Sequence, residues 1–128
     1  MKYTVDKQEK YAVFSLEDEN LNSMIAPDLK SEFLMMRNSV VQNLILNLEA
    51  VKFVDSSGLS AILTGNRLWQ EGSFILTGVQ SESVQKLINI SKLDSILKII
   101  PTLSESVDFV FMEELERELD GGEADSDD

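Results

Sequence analysis

Phe53-Val54-Asp55-Ser56-Ser57-Gly58-Leu59 joins an apolar run to a helix-like stretch, and the rest of the chain can be read outward from this junction. The apolar run covers residues 43–48 and 51–54, so a strand ending there would turn at once into a helix. N–H groups in the first turn of a helix lack partners within the helix, and the helix dipole is positive at that end. Residues 55–58, Asp55-Ser56-Ser57-Gly58, are called the motif below. The motif therefore favours negative charge, and a phosphate added to one of its serines would be held there.

Hydrophobic spacing on both sides of this junction alternates between the period of strands and the period of helices. Residues 4–6 and 11–16 form a predicted antiparallel hairpin, because Ala12, Phe14 and Leu16 repeat at every second position. Further strands are predicted at residues 44–48, 74–77 and 97–100, and helices at 27–40, 59–72, 83–90 and 104–119. Units in this order predict an α/β fold, with a mixed β-sheet that begins as an antiparallel hairpin, continues as strand–helix units and has helices packed against it.

With 128 residues and 43% hydrophobic content, the chain is predicted to form one domain over residues 1–117.

The charge of the chain is concentrated at its end. Residues 113–128 contain nine acidic side chains against Arg117, so −8 of the net charge of −12 lies there and −4 lies elsewhere. Residues 118–128 lack an apolar anchor, and we expect them to be a disordered, solubilising tail rather than a docking segment.

Several classes of function conflict with the composition. The chain contains no cysteine and no histidine, which excludes the usual zinc sites, thiol chemistry and imidazole-based catalysis. There is no phosphate-binding glycine loop, and residues 18–29 lack the glycine and glutamate of a calcium loop. We therefore expect no enzyme activity, no cofactor and no metal. An acidic surface without a basic stripe argues against nucleic acid, and the lack of a long apolar segment predicts a soluble cytoplasmic protein without membrane insertion.

The motif and its surroundings resemble the STAS domain of bacterial anti-sigma factor antagonists. The resemblance rests on the motif quoted above and on three later stretches, residues 73–77, 84–88 and 93–100. It covers residues 3–117 and implies the STAS-type mixed sheet. In that family a partner kinase phosphorylates the second serine of the motif, which marks Ser57 as the phosphoacceptor. The residues that would shape its loop are Asp55, Ser56 and Gly58.

This resemblance implies a protein-binding switch. Unmodified protein would bind an anti-sigma factor with serine kinase activity and so free a sigma factor, and phosphorylation of Ser57 would release that partner. A phosphatase would reset the switch. The modification adds about −1.5 to −2 charges at one point, enough to repel an acidic partner patch. The alternative is a constitutive scaffold or regulatory subunit of a lipid transport complex or a stressosome-like particle, without phosphorylation.

The predicted docking surface combines the motif helix with the loop at residues 20–23. Asp55 or Ser56 can cap this helix, and Gly58 leaves space for a kinase to approach the backbone. The side chains expected to meet the partner are Asn20, Asn22, Ser23, Ser57, Ser60, Thr64 and Arg67. Four large apolar side chains that could also form a binding surface are assigned to the core instead: Met24, Met35, Met36 and Trp69.

Overall fold

The computed structural model describes residues 1–126, with side chains described through residue 120. Seven strands, four α-helices and one short 3-10 helix (Leu93–Ser95) make up this part of the chain. The strands are β1 (Tyr3–Lys7), β2 (Ala12–Leu16), β3 (Asn20–Leu21), β4 (Asn43–Asn47), β5 (Phe53–Val54), β6 (Ser73–Thr77) and β7 (Lys98–Ile100). The α-helices are α1 (Ala26–Asn38), α2 (Ser56–Leu68), α3 (Glu82–Ile90) and α4 (Leu103–Ser126).

The main sheet has five strands in the order β1-β2-β4-β6-β7. β1 and β2 are antiparallel, with Tyr3 opposite Leu16. The remaining neighbouring pairs in this sheet are parallel. β3 and β5 form a separate two-stranded parallel sheet. The predicted α/β fold, a mixed sheet that begins as an antiparallel hairpin, is confirmed.

Side-chain alternation along the strands gives the main sheet two buried faces. Val13, Ile45 and Ile75 are register partners across β2, β4 and β6, and they pack with Val110 of α4. The neighbouring strand positions point the other way, into a larger core that α1, α2 and α3 cover. Both faces of β4 are therefore buried, which explains its nearly continuous run of apolar residues.

The motif follows β5 rather than the long apolar strand β4. After β4 the chain turns, and Phe53 and Val54 then pair with Asn20 and Leu21 of β3. The sequence analysis placed residues 20–23 in a loop and did not separate residues 53–54 from the apolar run before the motif, because a two-residue strand is too short to display a period of two. This pairing connects the loop before α1 to the strand that enters the motif.

Three boundaries of the two helices near the site differ from the predicted ones. α1 ends at Asn38 instead of residue 40, where Val40 adopts a left-handed backbone with a φ of 68°. α2 begins at Ser56, inside the motif, and ends at Leu68 instead of residue 72. The motif is therefore the first turn of the helix rather than a loop before it.

The final helix, α4, extends beyond the predicted end at residue 119, to Ser126. Its inner side packs on the sheet through Val110. The division of the chain into a domain at 1–117 and a disordered tail at 118–128 stays a prediction. Residues 127 and 128 lie outside the described residues.

The four apolar side chains assigned to the core divide into two pairs. Trp69 and Met36 are buried, with 1% and 9% of their surface exposed. Met24 and Met35 are 82% and 64% exposed, so their assignment to the core is wrong. Met35 precedes Met36 on α1 and is turned away from the core by about 100° around the helix axis. Met24 lies in the loop before α1, where no helical period constrains it.

The buried side chain of Asn43, the first residue of β4, connects the start of this strand to α4. Its Nδ2 donates to the carbonyl oxygen of Lys10 (2.7 Å) and to Oε1 of Glu114 (2.7 Å). Its Oδ1 accepts from the backbone N–H of Ser73 (2.9 Å) and from Nη2 of Arg117 (3.0 Å). Arg117 also pairs with Glu114 at 3.0 Å. A buried amide with all these partners stabilises the fold, because leaving any of them unpaired would carry a desolvation penalty.

This network predicts a pH dependence of stability. The hydrogen bond from Asn43 lowers the pKa of Glu114 below its usual 4.5, and Arg117 lowers it further, while burial opposes both. A carboxyl whose pKa is lower in the folded state contributes stability that is fully present above its unfolded pKa and is lost as pH falls through the folded pKa. We expect the free energy of unfolding, measured with urea from about pH 6 to about pH 3, to fall less steeply in Glu114→Gln than in the wild type.

Glu116→Gln is the matched control, because Glu116 lies on the same helix with an exposed side chain. Its acid sensitivity should match that of the wild type. If the free energy of unfolding falls equally steeply with pH in Glu114→Gln and in the wild type, Glu114 is not the source of this acid sensitivity.

Candidate functional site

Asp55 caps the helix that carries the motif. Its Oδ1 accepts a hydrogen bond from the backbone N–H of Gly58 at 2.9 Å, and its own N–H donates to the carbonyl oxygen of Leu21 at 3.2 Å. Of the two capping candidates, Asp55 rather than Ser56 therefore fills the role. This leaves Ser56 and Ser57 as the first and second residues of α2.

Gly58 faces the interior of the protein. It is buried, and a Cβ atom there would meet the carbonyl oxygen of Leu21 and lie 2.8 Å from the side chains of Leu21 and Val54. Gly58 therefore allows α2 to pack closely against β3. The prediction that Gly58 leaves space for a kinase to approach the backbone is wrong, because that space is filled by the protein itself.

Gly58→Ala should destabilise the protein by about 1–3 kcal/mol, since the added methyl group overpacks a close contact with backbone. Urea unfolding followed by circular dichroism measures the loss. Ser56→Ala, an exposed position two residues away on the same turn, should change stability by less than about 0.5 kcal/mol. If the two variants are equally stable, Gly58 has no such packing role.

Ser57 lines a shallow groove between α1 and α2. The groove has a volume of about 390 Å³ and opens to solvent. Its lining residues are Ser23, Ala26, Pro27, Lys30, Ser56, Ser57 and Ser60. Ser57 is half-buried and Ser56 is exposed. The two neighbouring serines therefore differ in environment, although the sequence presents them as near equivalents.

The structure brings some of the predicted docking residues together at this groove. Ser23, Ser57 and Ser60 line it. Thr64 lies one turn further along α2, and its hydroxyl donates to the Ser60 carbonyl oxygen at 3.0 Å. Arg67 follows Ser57 by ten residues, which places it about 15 Å away along the helix and outside the groove.

The two asparagines of the neighbouring loop have different environments. Asn20 is exposed and pairs with Phe53 in the small sheet, directly before the motif. The side chain of Asn22 is engaged within its own loop, where Oδ1 accepts from the backbone N–H of Met24 at 3.0 Å. Asn20 is therefore the more available of the two for a partner.

Two exposed apolar side chains are chain neighbours of residues at the site. Met24 directly follows Ser23, which lines the groove, and is 82% exposed, and Phe53 stands two residues before Asp55 and is 57% exposed. Large apolar side chains at the surface are typical anchors of protein interfaces. The site therefore combines a groove of hydroxyl groups with apolar contact area, an arrangement suited to binding another protein.

Sequence reasoning missed the contribution of α1. Ala26, Pro27 and Lys30 line the groove, and Nζ of Lys30 donates to Oγ of Ser60 at 3.0 Å. Pro27 indicated where the helix begins, but nothing in the sequence indicated that this turn packs beside Ser60. Contact between two side chains 30 residues apart in the chain is a property of the tertiary fold.

Among the described residues, no group of acidic side chains is arranged to hold a metal ion. No helix in this part of the chain has the length and apolar character needed to cross a membrane.

Comparisons with known proteins agree with this geometry. A family model for the STAS domain matches residues 3–106. A candidate anti-sigma factor antagonist from Thermotoga maritima is 26% identical, with a TM-score of 0.73 over 84% of this chain and 93% of its own. A search of curated protein sequences found no match.

Two more distant structures share the fold. The phosphorylated form of the Bacillus cell fate determinant SpoIIAA is 22% identical, with a TM-score of 0.66 over 85% of this chain and 99% of its own. A serine-to-glutamate variant of RsbS from Moorella thermoacetica is 20% identical, with a TM-score of 0.72 over 91% of this chain and 99% of its own.

Proposed function

The chain belongs to the STAS domain family, and we propose that it is an anti-sigma factor antagonist whose binding to an anti-sigma factor is controlled by phosphorylation of Ser57. The observation that carries this proposal is the position of Ser57. It is the second residue of α2 and lines an open groove together with Ser23, which the exposed Met24 directly follows in the chain. A half-buried hydroxyl in an open groove can be reached by another protein.

The unmodified groove is the binding-competent state in this proposal. Its serines offer small polar groups, while Met24 and Phe53 supply apolar contact area. The bound anti-sigma factor would be kept from its sigma factor. The same partner would carry the serine kinase activity, which transfers the γ-phosphoryl group of a nucleoside triphosphate to Oγ of Ser57 as the hydroxyl proton leaves.

Phosphorylation would release the partner without unfolding the protein. The first turn of α2 offers backbone N–H groups and the positive end of the helix dipole, so a phosphate is tolerated there. Two negative charges inside a fitted interface oppose binding through desolvation and through repulsion of nearby acidic groups. SpoIIAA, which shares the fold, exists in a phosphorylated form, so the fold is compatible with this modification. A phosphatase would return the protein to the binding state, and we place this cycle in the cytoplasm, without direct nucleic acid contact.

The test is the phosphorylation state of the protein in its native cells. We expect intact mass spectrometry to find a phosphorylated fraction, fragmentation to locate the phosphate on Ser57, and the kinase to co-purify with the unmodified fraction. Phosphate on Ser56 instead, with Ser57 free, would contradict the assignment. A protein without phosphate under several growth conditions would contradict the switch.

A constitutive scaffold is the second candidate, and a second exposed surface favours it. Phe111, Met112 and Leu115 of α4 are 48%, 63% and 56% exposed, on the helix that covers the sheet face opposite α2. A subunit of a lipid transport complex or a stressosome-like particle would use such a surface without phosphorylation. In that case the protein from native cells would be unmodified and held in a stable complex that Ser57→Asp leaves intact.

A further inference from the structure

The groove at Ser57 contains one positively charged side chain. Of the seven described residues that line it, Lys30 carries the single charge, and the others are serines, an alanine and a proline. The Lys30 side chain is half-buried and reaches from α1 across to α2, where Nζ donates to Oγ of Ser60 at 3.0 Å. Its ammonium group is therefore held at a defined place in the groove.

Ser57 lies within reach of this ammonium group. Residues three apart on a helix are neighbours, with Cβ atoms about 5–6 Å apart, so Ser57 and Ser60 share one side of α2. A phosphate on Oγ of Ser57 extends into the same groove that Lys30 lines. An ammonium has three donors, and one of them serves Ser60, so a small rotation of the lysine brings another onto a phosphate oxygen.

We propose that Lys30 is the intramolecular counter-ion of the phosphate on Ser57. This proposal rests on the proposed function, since it describes the modified state of the same site. An acidic neighbour adds to the benefit of a counter-ion. Asp55 directly precedes the two serines, and its carboxylate already accepts from the N–H of Gly58 in the first turn of α2. A phosphate close to this carboxylate is stabilised further by the ammonium group of Lys30.

Phosphorylation would then change the electrostatics of the groove in two ways. In the unmodified protein Lys30 presents a positive charge that an acidic group of the partner can meet. Phosphorylation adds negative charge and at the same time occupies Lys30, so the partner loses its contact as well as meeting repulsion. The bond between Lys30 and the phosphate would also join α1 to α2 more firmly than the neutral contact to Ser60 does.

The experiment uses full-length protein with phosphoserine incorporated at position 57 during synthesis. Phosphorus NMR follows the second ionisation of the phosphate against pH. We expect its midpoint in the otherwise wild-type protein to lie lower than in Lys30→Met by about half a pH unit or more. Lys30→Arg should restore the lower midpoint, and added salt should shrink the difference. Lys86→Met, which removes an exposed lysine of α3, is the matched control and should leave the midpoint unchanged.

Circular dichroism establishes that each variant is folded, and Lys30→Gln provides a second removal of the charge. If the titration midpoints in Lys30→Met and Lys30→Gln equal the midpoint in the phosphorylated protein that retains Lys30, Lys30 is not the counter-ion. This conclusion would hold whether or not Ser57 is phosphorylated in cells. Native protein without phosphate on Ser57 would contradict the proposed function and leave this titration result unaffected. The two failures can therefore be told apart.

Discussion

Trp69→Ala should lower the free energy of unfolding by about 3–5 kcal/mol, the largest single loss that we expect from this chain. Trp69 is 1% exposed, and its ring lies edge-on to Phe33 at 5.8 Å and stacked on Phe74 at 6.1 Å between centroids. Its Nε1 donates to the carbonyl oxygen of Val41 at 2.8 Å. Removing the indole leaves a cavity between α1, α2 and the sheet, and it leaves the Val41 carbonyl oxygen with only the long hydrogen bond from Nη1 of Arg37 at 3.5 Å.

Trp69→Phe separates the two contributions. It retains an aromatic ring but removes the indole N–H, so its cost should be about 1–3 kcal/mol, from the smaller ring and from the lost short hydrogen bond to the Val41 carbonyl oxygen. Trp69 is the only tryptophan of the chain, so urea unfolding has to be followed by far-ultraviolet circular dichroism rather than by fluorescence. A loss below about 1 kcal/mol in Trp69→Ala would mean that the aromatic cluster does not anchor α2.

Ser57→Asp should weaken binding to the anti-sigma factor by about 30-fold or more, equivalent to about 2 kcal/mol. A carboxylate at this position introduces negative charge into the groove where the partner is proposed to dock, and it sits beside Asp55 at the start of α2. The partner recovered with the protein from native cells, produced separately, gives the dissociation constants by isothermal titration calorimetry. Ser57→Ala should bind like the unmodified protein.

Ser56→Asp is the matched control, because it places the same charge one residue earlier, on an exposed side chain that also borders the groove. Its effect should be smaller than that of Ser57→Asp. Equal dissociation constants for Ser57→Ala and Ser57→Asp would end the switch hypothesis. Ser60→Asp tests the extent of the same surface, since Ser60 lines the groove one turn further along α2.

The fold could be predicted from the sequence where the elements are long enough to show a period. The alternation of Ala12, Phe14 and Leu16 correctly predicted β2, and the family match confirms the resemblance to the STAS domain. The pair β3 and β5 was missed because two residues show no period. The end of α2 was misplaced by four positions, since apolar spacing continues beyond Leu68 to Trp69 at the helix cap, and the end of α4 was misplaced by seven.

The site was predictable as a motif but not as a groove. The sequence located a cap at the start of a helix and left Asp55 and Ser56 as alternatives, and the geometry at Gly58 decides for Asp55. Gly58 was expected to leave space for a partner kinase, yet the space beside it is filled by Leu21, a residue far away in the sequence. Lys30 carried no sequence signal, because its relation to the motif exists only after α1 and α2 have packed together.

The amide of Asn43 has a consequence for synthesis on the ribosome. Two of its four partners, Glu114 and Arg117, stand 71 and 74 residues later in the chain. Chains emerge in order from the amino end, and contacts between distant residues form late. During synthesis, β4 would therefore emerge with the side-chain amide of Asn43 lacking two partners and with one apolar face uncovered until α4 has been made. Closure of this face of the sheet waits for a helix that lies more than fifty residues after β4 in the chain.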